Sequence, residues 1–464
     1  MVEEQSARGQ SRRNFLAAGL GSLAVGLAPV TSLASGGGSR KPNILIILTD
    51  QEREDIPRHI MRLPNREVLE SHGIRFTRAF CTAPQCSASR AAMLTGLYPH
   101  EAGVVTNVDK SSLGRALSPQ IPTLGKVFQQ AGYKTGYLGK WHLRNGIASG
   151  CPGGNDNCGL RAYGFDDYRF FSGAKLAGAA ADWIRNQSSE PWLLIVSFPY
   201  IPHNMYTAVR KMSRIKVRPG VRLPENFDDD LRLKPPPQEQ FLTRDQGRVS
   251  LKWGKDDWLR YRTYYLQLIE EADSYVGVIL GALHAASRAE DTIVVYSSDH
   301  GDMGGAHHLP FKGPFMYDEL LRVPLTFSCP RLFPKPVVSN SLVSTLSLAP
   351  TLCSMAGTAL PAPVPGKDIS ILFSNPRETV EAEIFAEYYS KQHWVNPIRT
   401  IRTLDWKYNL YVAPGQELYA ELYHLRDDPG ELHNLARDPS AENARKDLRH
   451  RLLEWRMQTH DPLL

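Results

Sequence analysis

The chain of 464 residues is 42% hydrophobic and 22% charged, a balance that excludes wholesale disorder and a polytopic membrane protein. Its formal net charge of +6 suits an anionic partner, but no DNA- or RNA-binding motif accompanies that charge, so nucleic acid is not an expected partner. Six cysteines do not make a disulfide framework in a chain of this length. We therefore expect a globular protein, either one large domain with an appendage or about two to four domains.

Residues 1–34 predict a twin-arginine signal peptide. Arg12 and Arg13 precede an apolar run that ends at Val30, and the glycines within that run disfavour a membrane anchor. Residues 35–41 contain three consecutive glycines and predict a flexible linker. No cysteine directly follows the cleavage region, so a lipid anchor is not expected. These patterns predict a periplasmic or secreted protein with no membrane span after signal cleavage.

Continuous apolar runs predict four buried strands, at residues 43–48, 133–138, 192–198 and 292–296. Residues 122–131 favour a helix that Gly132 would close, and residues 257–286 have long helical periodicity. Strands that alternate with helices favour an α/β fold with a large, mostly parallel central sheet flanked by helices.

Polar residues stand at or just after the ends of these strands. They are Asp50, Lys140, His142, His203, Asp299 and His300. Because ligands bind outside the carboxyl ends of the strands in such sheets, we expect these side chains to converge on one edge. Any one of them could instead be a capping or surface residue, but that interpretation explains all six together poorly.

The stretch 81–96 carries the candidate nucleophile, Cys86. Small residues and a proline precede a helix-favouring run that Gly96 would end, so Cys86 is predicted to lie where a helix begins. A helix N-terminus stabilises negative charge, and Arg90, one turn further, adds a cation that can bind a tetrahedral oxyanion. Taken alone, Cys86 could also be a buried thiol or half of a disulfide with Cys81.

The spacing Cys86-x-Ala88-x-Arg90, followed by A-A-M-L-T-G-L-Y-P-H, resembles the signature of the type I sulfatases of the alkaline-phosphatase-like superfamily. In that family the cysteine is oxidised by a modifying enzyme to formylglycine, whose hydrated aldehyde is the nucleophile. Ala88 stands where proline is commoner in the family, although alanine also occurs there. The resemblance implies an exported sulfatase that hydrolyses an anionic sulfate monoester, which we expect on a carbohydrate.

The resemblance also implies one divalent metal, calcium. The predicted ligands are Asp50, Gln51, Cys86, Asp299 and His300. An oxygen-rich ligand set agrees with calcium. Gln51 departs from the pair of aspartates common in the family, and with the nitrogen of His300 this leaves magnesium or manganese open. Asp302 is expected to support the ligands rather than to bind the metal.

The same resemblance assigns the expected catalytic residues. They are Cys86, Arg90, Lys140, His142, His203 and Lys312. The two lysines match the sulfate-contacting lysines of the family, and the two histidines match its proton-handling residues. His203 could instead be a loop histidine beside Pro202. His307 and His308 occupy the region of the family's Gly-Asp-His-Gly motif.

Residues 42–375 are expected to form the catalytic domain and residues 376–464 a smaller antiparallel subdomain. Segments 383–389, 398–404 and 406–412 predict short strands, and 443–460 predicts a terminal helix. Residues 421–435 resemble the C-terminal element of the sulfatases, so the resemblance covers nearly the whole mature chain. Cys151 and Cys158 bracket a short loop that a disulfide could close.

Residues 206–255 are rich in proline and charge and lack helical or strand periodicity. The basic side chains in this segment are Arg210, Lys211, Arg214, Lys216, Arg218 and Arg222. The segment is either a solvated loop or a surface that holds further anionic groups of a sugar chain.

Two other classes of function stay open on the sequence alone. Phosphonate monoester and phosphodiester hydrolases of the same superfamily share the fold and its metal-ligand pairs. A binding protein without catalytic activity could also retain the fold. The intact set around Cys86, Arg90 and Asp299 argues against such a binding protein, since it would have no use for an oxidised nucleophile.

Overall fold

The computed structural model describes residues 41–109, 113–144, 159–187, 191–203, 209–391 and 394–464. The predicted signal peptide, nearly all of the predicted linker, Cys151 and Cys158 lie outside the described residues, so those inferences stay predictions. No helix in the described ranges is long and apolar enough to span a lipid bilayer.

The strands of the described residues form three sheets. In chain order they are β1 (Asn43–Asp50), β2 (Gly73–Phe76), β3 (Ala79–Phe80), β4 (Lys134–Gly139), β5 (Asp167–Arg169), β6 (Trp192–Pro202), β7 (Thr292–Ser298), β8 (Leu325–Ser328), β9 (Val337–Ser339), β10 (Val343–Ser344), β11 (Glu383–Lys391), β12 (Trp394–Thr403), β13 (Trp406–Ala413) and β14 (Gln416–His424). Eight strands form the central sheet in the order β5-β4-β6-β1-β7-β8-β2-β9. Strands β4, β6, β1 and β7 are parallel, whereas β8 is antiparallel to both β7 and β2.

Helices cover both faces of the central sheet. The described helices are α1 (Pro64–Ser71), α2 (Cys86–Thr95), α3 (Leu124–Gln130), α4 (Gly173–Arg185), α5 (Pro236–Arg244), α6 (Lys255–Ala285), α7 (Asp318–Leu321), α8 (Leu348–Met355), α9 (Ile371–Ser374) and α10 (Glu442–Gln458). Ile44 and Ile46 of β1 pack into one core with α2, α3 and α8, while Leu45 and Ile47 pack into a second core with α4 and α6. Because successive side chains of a strand point to opposite faces, this alternation accounts for the unbroken apolar run in β1. The predicted α/β fold class is confirmed.

Strands β11 to β14 form an antiparallel sheet in chain order near the C-terminus. Leu452 and Trp455 of α10 pack with Leu410 of β13 in one core, and this core includes Ala92 of α2 and Tyr98 just beyond it. The backbone N–H of Glu387 in β11 also donates to the carbonyl oxygen of Thr82, at 2.8 Å. The C-terminal sheet therefore packs against the segment that carries Cys86.

The segment predicted to lack regular structure is partly helical, which corrects that expectation. It contains α5 and short 3-10 turns at Met212–Arg214 and Gln246–Ser250. Helix α5 begins with two prolines, and its buried Gln238 bonds to Glu421 and to Tyr317. The buried face of this helix has only Pro237 and Phe241 as apolar residues beside Gln238, which is too short an apolar stripe to be visible as helical periodicity. Residues 206–208 of this segment lie outside the described ranges.

Candidate active site

Four neighbouring parallel strands place polar side chains at one edge of the central sheet. Asp50 ends β1, Lys140 follows β4, His203 follows β6, and Asp299 follows β7. Parallel strands end at the same edge, so residues far apart in sequence become neighbours there. Gly139, at φ +98°, allows the chain to turn into the site, because a Cβ at this position would lie 2.0 Å from the carbonyl oxygen of Ser197.

Cys86 is the first residue of α2, and Gly96 ends that helix in a left-handed conformation with φ of 74°. The Sγ atom of Cys86 lies 2.9 Å from Nζ of Lys312, 3.3 Å from Nε2 of His300 and 3.6 Å from Oδ1 of Asp50. The side chain is 1% exposed. Cys86 is thus a free, buried thiol surrounded by charged groups, and no disulfide joins it to Cys81.

Opposing effects act on the Cys86 thiol. Burial raises its pKa, but the positive charges of Lys140 and Lys312 and the neighbouring His300 outweigh burial and lower the pKa well below its usual value. Cys81, only five residues away, has a raised pKa because burial dominates there. The structure therefore stabilises negative charge at position 86 and not at the neighbouring cysteine.

Each of the two central carboxylates is paired with its own cation. Lys140 Nζ lies 2.7 Å from Oδ2 of Asp50, and Arg90 Nε lies 2.9 Å from Oδ2 of Asp299. Arg90 also donates through Nη1 to the carbonyl oxygen of Lys140, at 3.1 Å, and to Oγ of Ser197, at 2.5 Å. Burial alone would raise the pKa of Asp50, but Lys140 contributes most to a net lowering. Each carboxylate therefore has a cation within hydrogen-bonding distance inside the protein.

Four side chains could together hold a metal ion. Asp50, Cys86, Asp299 and His300 are all buried, and one ligand atom from each lies within 4.8 Å of all the others. Nδ1 of His300 lies 2.9 Å from the carbonyl oxygen of Gly301, which orients the ring so that Nε2 faces the centre, where Nζ of Lys312 lies 2.7 Å from it. Two carboxylates and an imidazole nitrogen are suitable donors for a divalent cation, so these residues fit such an ion.

Gln51 lies between this group and Asp302. Its amide nitrogen donates to Oδ2 of Asp302 at 2.5 Å, and this leaves the amide oxygen available as a neutral ligand. Its backbone N–H donates to Oδ1 of Asp299 at 3.1 Å. Asp302 also accepts from the hydroxyl of Tyr261, at 3.1 and 3.2 Å. Asp302 therefore orients Gln51 and lies outside the group that could hold a metal.

His142 and His203 are both near the centre and are both disfavoured as cations. Burial lowers the pKa of His142, and the charge of Lys140 lowers it further. Burial lowers the pKa of His203 to about 4, although the charge of Asp50 acts in the opposite direction. Both imidazoles are therefore neutral at neutral pH before a substrate binds.

His307 and His308 have structural contacts away from this group. Nδ1 of His307 lies 2.7 Å from Oδ2 of Asp229, and its ring stacks on Tyr317 with centroids 3.7 Å apart. The ring of His308 packs against Phe227, with centroids 4.7 Å apart. These contacts position the loop that precedes Lys312.

Two further residues of the site were missed from the sequence. Ser197, which contacts Arg90, interrupts the apolar run of β6, and that interruption was the signal for it. Lys391 ends β11, pairs with Asp245 at 2.9 Å, and has its pKa lowered to about 8 by burial and by repulsion from Lys312. No sequence pattern indicated Lys391, because its position depends on how the C-terminal sheet packs on the first domain.

Comparison with known families agrees with this geometry. The sulfatase family matches residues 42–358, and a second family, the C-terminal region of N-sulphoglucosamine sulphohydrolase, matches residues 305–458. The chain belongs to the sulfatase family. As a sulfatase it is a sulfuric ester hydrolase, which confirms the family and enzyme class predicted from the Cys86 motif.

The sulfatase is similar along most of its length to characterised relatives. It is 29% identical to a Δ4,5-hexuronate-2-O-sulfatase of Bacteroides thetaiotaomicron, over 88% of this chain and 87% of the relative. The structure of a 2-O GAG sulfatase matches with a TM-score of 0.78 and 26% identity, over 91% of this chain and 93% of that one. A phosphonate monoester hydrolase of Agrobacterium radiobacter matches with a TM-score of 0.75 and 22% identity, over 90% and 96% of the two chains. This last similarity shows the shared fold alone.

Proposed function

We propose that this sulfatase is exported and hydrolyses sulfate monoesters of a sulfated carbohydrate, with a formylglycine made from Cys86 as nucleophile and one bound divalent cation. The position of Cys86 carries the proposal: it lies at the start of α2, and its Sγ contacts Lys312, His300 and Asp50. In the active enzyme the hydrated aldehyde would take the place of this sulfur. The names of the hexuronate and GAG sulfatases support a carbohydrate substrate.

The reaction would use the two hydroxyls of the hydrated aldehyde in turn. One hydroxyl loses its proton to water and attacks sulfur as the alkoxide, the bond from sulfur to the alcohol oxygen breaks, and the alcohol leaves with a proton from His203. Lys140 and Lys312 would offset the charge on the sulfate oxygens. A bound anionic substrate would raise the pKa of His203 from its low value in the free protein, which makes the histidine a competent acid.

The second hydroxyl would release the product. It loses its proton to His142, which is neutral in the free protein and interacts with the Cys86 side chain, and the carbonyl re-forms as sulfate leaves. A calcium ion held by Asp50, Gln51, Asp299 and His300 would add positive charge beside position 86 and favour ionisation of the hydroxyls. A serine at this position would form an ester that only water could open.

Mass spectrometry of the peptide that contains residue 86 tests the nucleophile. Active enzyme from a host with a competent modifying enzyme should contain formylglycine there, and a peptide that is wholly thiol or disulfide would exclude the mechanism. Cys86→Ser should lower the rate on the order of a thousandfold, about 4 kcal/mol of transition-state stabilisation. Cys81→Ser is the matched control and should keep activity, since the Cys81 thiol bonds to the carbonyl oxygens of Ala83 and Leu320 and is not one of the side chains grouped around the possible metal site.

Substrate class is tested with a matched pair of aryl esters, one a sulfate and one a phosphonate monoester. The sulfate should be the better substrate by kcat/KM. A preference for the phosphonate ester, or for a phosphodiester, would assign the chain to the other hydrolases that share this fold.

Metal analysis of the purified enzyme should find about one calcium per chain, and magnesium or manganese in its place would correct the identity of the ion.

A further inference from the structure

A cavity of about 260 Å³ lies beside the catalytic centre, where residues 220–223 pack on the loop after β1 and on α6. Within the described part of the chain, its lining includes none of the residues assigned above to the metal or to catalysis. It shares a wall with the loop after β1, because Tyr265 lines the cavity and donates its hydroxyl to the carbonyl oxygen of Gln51, at 2.8 Å. The cavity is therefore a separate space beside the catalytic centre.

Arg262 contributes a buried donor that is not satisfied by the protein. Its Nη1 donates to the carbonyl oxygen of Gly304, at 2.8 Å. Among the described residues, its Nε atom has no hydrogen-bond partner, although it is buried. Burial and repulsion from Arg53 lower the pKa of Arg262 to about 10. A buried guanidinium with an unused donor costs free energy that a bound anion would recover.

Arg53 has an unused donor in the same wall. Its Nη1 donates to the carbonyl oxygen of Met303, at 3.2 Å, and its Nη2 pairs with Asp55 at 3.1 Å. Within the described ranges, Nε of Arg53 is also buried without a hydrogen-bond partner. Arg222 is a third arginine in the lining, and among the described lining residues Asp55 is the only acid. The Asp55 side chain is 63% exposed, and Glu319, 4.0 Å from Nη2 of Arg53, lies outside the lining, so two acids face three arginines and compensate them only in part.

The rest of the cavity wall is largely apolar. Ile56, Val221 and Leu266 are among the lining residues. A bare inorganic anion would leave these side chains in contact with water, whereas a ring would cover them. Positive charge on one side and aliphatic surface on the other are complementary to an anionic group carried on a small ring.

We propose that this cavity binds a small organic anion, whose sulfate, sulfonate or carboxylate group pairs with Arg262 and Arg53 and whose ring packs on Ile56, Val221 and Leu266. The anionic group can come from two sources: a second acidic group on the substrate chain or a free small molecule. The chemistry of recognition is the same for both, and kinetic measurements distinguish them.

The test uses 4-bromobenzenesulfonate, which has a carbon–sulfur bond that a sulfatase does not cleave. Crystals of the metal-loaded enzyme soaked in this probe should show anomalous bromine signal in the cavity. Calorimetry should give binding to this site that weakens at least tenfold in Arg262→Gln. Arg260→Gln, two residues earlier on the same helix and paired with Asp257 at 3.1 Å, is the matched control and should bind as the wild type does.

Val221→Trp provides a second variant that fills the cavity and keeps every charge, in case Arg262→Gln does not fold. It should abolish the bromine signal in the cavity. Bromine signal only at the catalytic centre, or unchanged affinity in both variants, would overturn the proposal. Sodium sulfate that binds as tightly as the organic probe would overturn the assignment of the ring to the apolar wall.

Kinetics then identify the source of the anionic group. If the cavity holds part of the substrate, the probe should raise KM for a sulfated oligosaccharide more in the wild type than in Arg262→Gln. A small aryl sulfate should show no such difference between the two enzymes. If the ligand is a free small anion, neither substrate should show a difference that depends on Arg262, while the calorimetric binding stays.

Discussion

Two ion pairs have the same N–O distance, but one is buried and the other is exposed. Comparing them measures how burial changes the contribution of an ion pair to the unfolding free energy of this enzyme. Arg90 and Asp299 are 2.9 Å apart with side chains 2% and 0% exposed. Arg185 and Asp182, on the surface of α4, are also 2.9 Å apart, with side chains 51% and 72% exposed. Replacing each arginine by alanine removes an arginine–aspartate ion pair of equal length, in one case from the protein interior and in the other from its surface.

The two replacements should differ several-fold in their effect on stability. Arg90→Ala leaves the carboxylate of Asp299 buried without its cation, and loss of one partner from a buried pair costs about 3 to 5 kcal/mol of unfolding free energy. It also removes the donors that Arg90 gives to Lys140 and Ser197. Arg185→Ala should cost about 0.5 kcal/mol or less, because water solvates the remaining Asp182.

Urea unfolding in a chelating buffer, followed by circular dichroism, measures both changes without bound metal. Saturating calcium should then reduce the loss in Arg90→Ala, since a cation bound beside Asp299 would replace part of the missing charge. It should leave the Arg185→Ala change as it was. Equal losses for the two variants would refute the argument from burial, and no response of Arg90→Ala to calcium would refute a metal at Asp299.

Three further perturbations test the remaining assignments. Asp299→Asn should lose both turnover and bound metal, and full turnover of the wild type in chelator with an empty site would contradict a metal role. Burial lowers the pKa of His203 to about 4 from an unfolded value near 6.5, so the folded state binds fewer protons and loses stability as pH falls through that window. In chelator, His203→Asn should lose less stability than the wild type over the same pH range, as read from urea midpoints. Replacing exposed Arg210, Lys211 and Arg214 by glutamine should raise KM several-fold for a sulfated oligosaccharide, in a salt-dependent way, and leave a small aryl sulfate unchanged, whereas equal effects on both substrates would assign the segment a structural role.

The fold could be predicted from the sequence at the central strands, because both faces of these strands are buried and most of their residues are apolar. Strands β1, β6 and β7 lie inside the sheet, so each is largely apolar, and polar residues of the site stand at or just after its end. Asp50, His203 and Asp299 follow from that pattern, because each stands at or just after the end of one of these strands, whereas Cys86, Arg90 and Lys312 do not. The short strands β8 and β9 lie further toward one edge, have four and three residues, and carry no comparable signal. The first four residues of β14 are exposed, so that strand was also missed.

Contacts that depend on packing between distant segments could not be predicted in this way. Lys391 and Asp245 are 146 positions apart and meet only because β11 and the loop after α5 pack together. The unused donors of Arg53 and Arg262 have the same origin, since a sequence shows an arginine but not whether its guanidinium finds a partner. The motif around Cys86 indicated a nucleophile, but only the structure shows why negative charge is stabilised there.

The charge of the centre accounts for recognition of an anionic group and does not specify the rest of the substrate. Three cations, Arg90, Lys140 and Lys312, face the two carboxylates of Asp50 and Asp299, so among these five side chains the cations outnumber the carboxylates, and only negative charge at position 86 would offset that excess. A neutral amide at position 51, where a second aspartate is common in the family, leaves that excess uncancelled, and a divalent cation would increase it. A neutral ester would enter this site without compensating any of that charge, whereas a sulfate monoester brings one negative charge to the place where it is needed. Recognition of the rest of the substrate must then come from residues around the centre. The exposed basic segment after His203 and the arginines of the cavity beside the loop after β1 are the candidates.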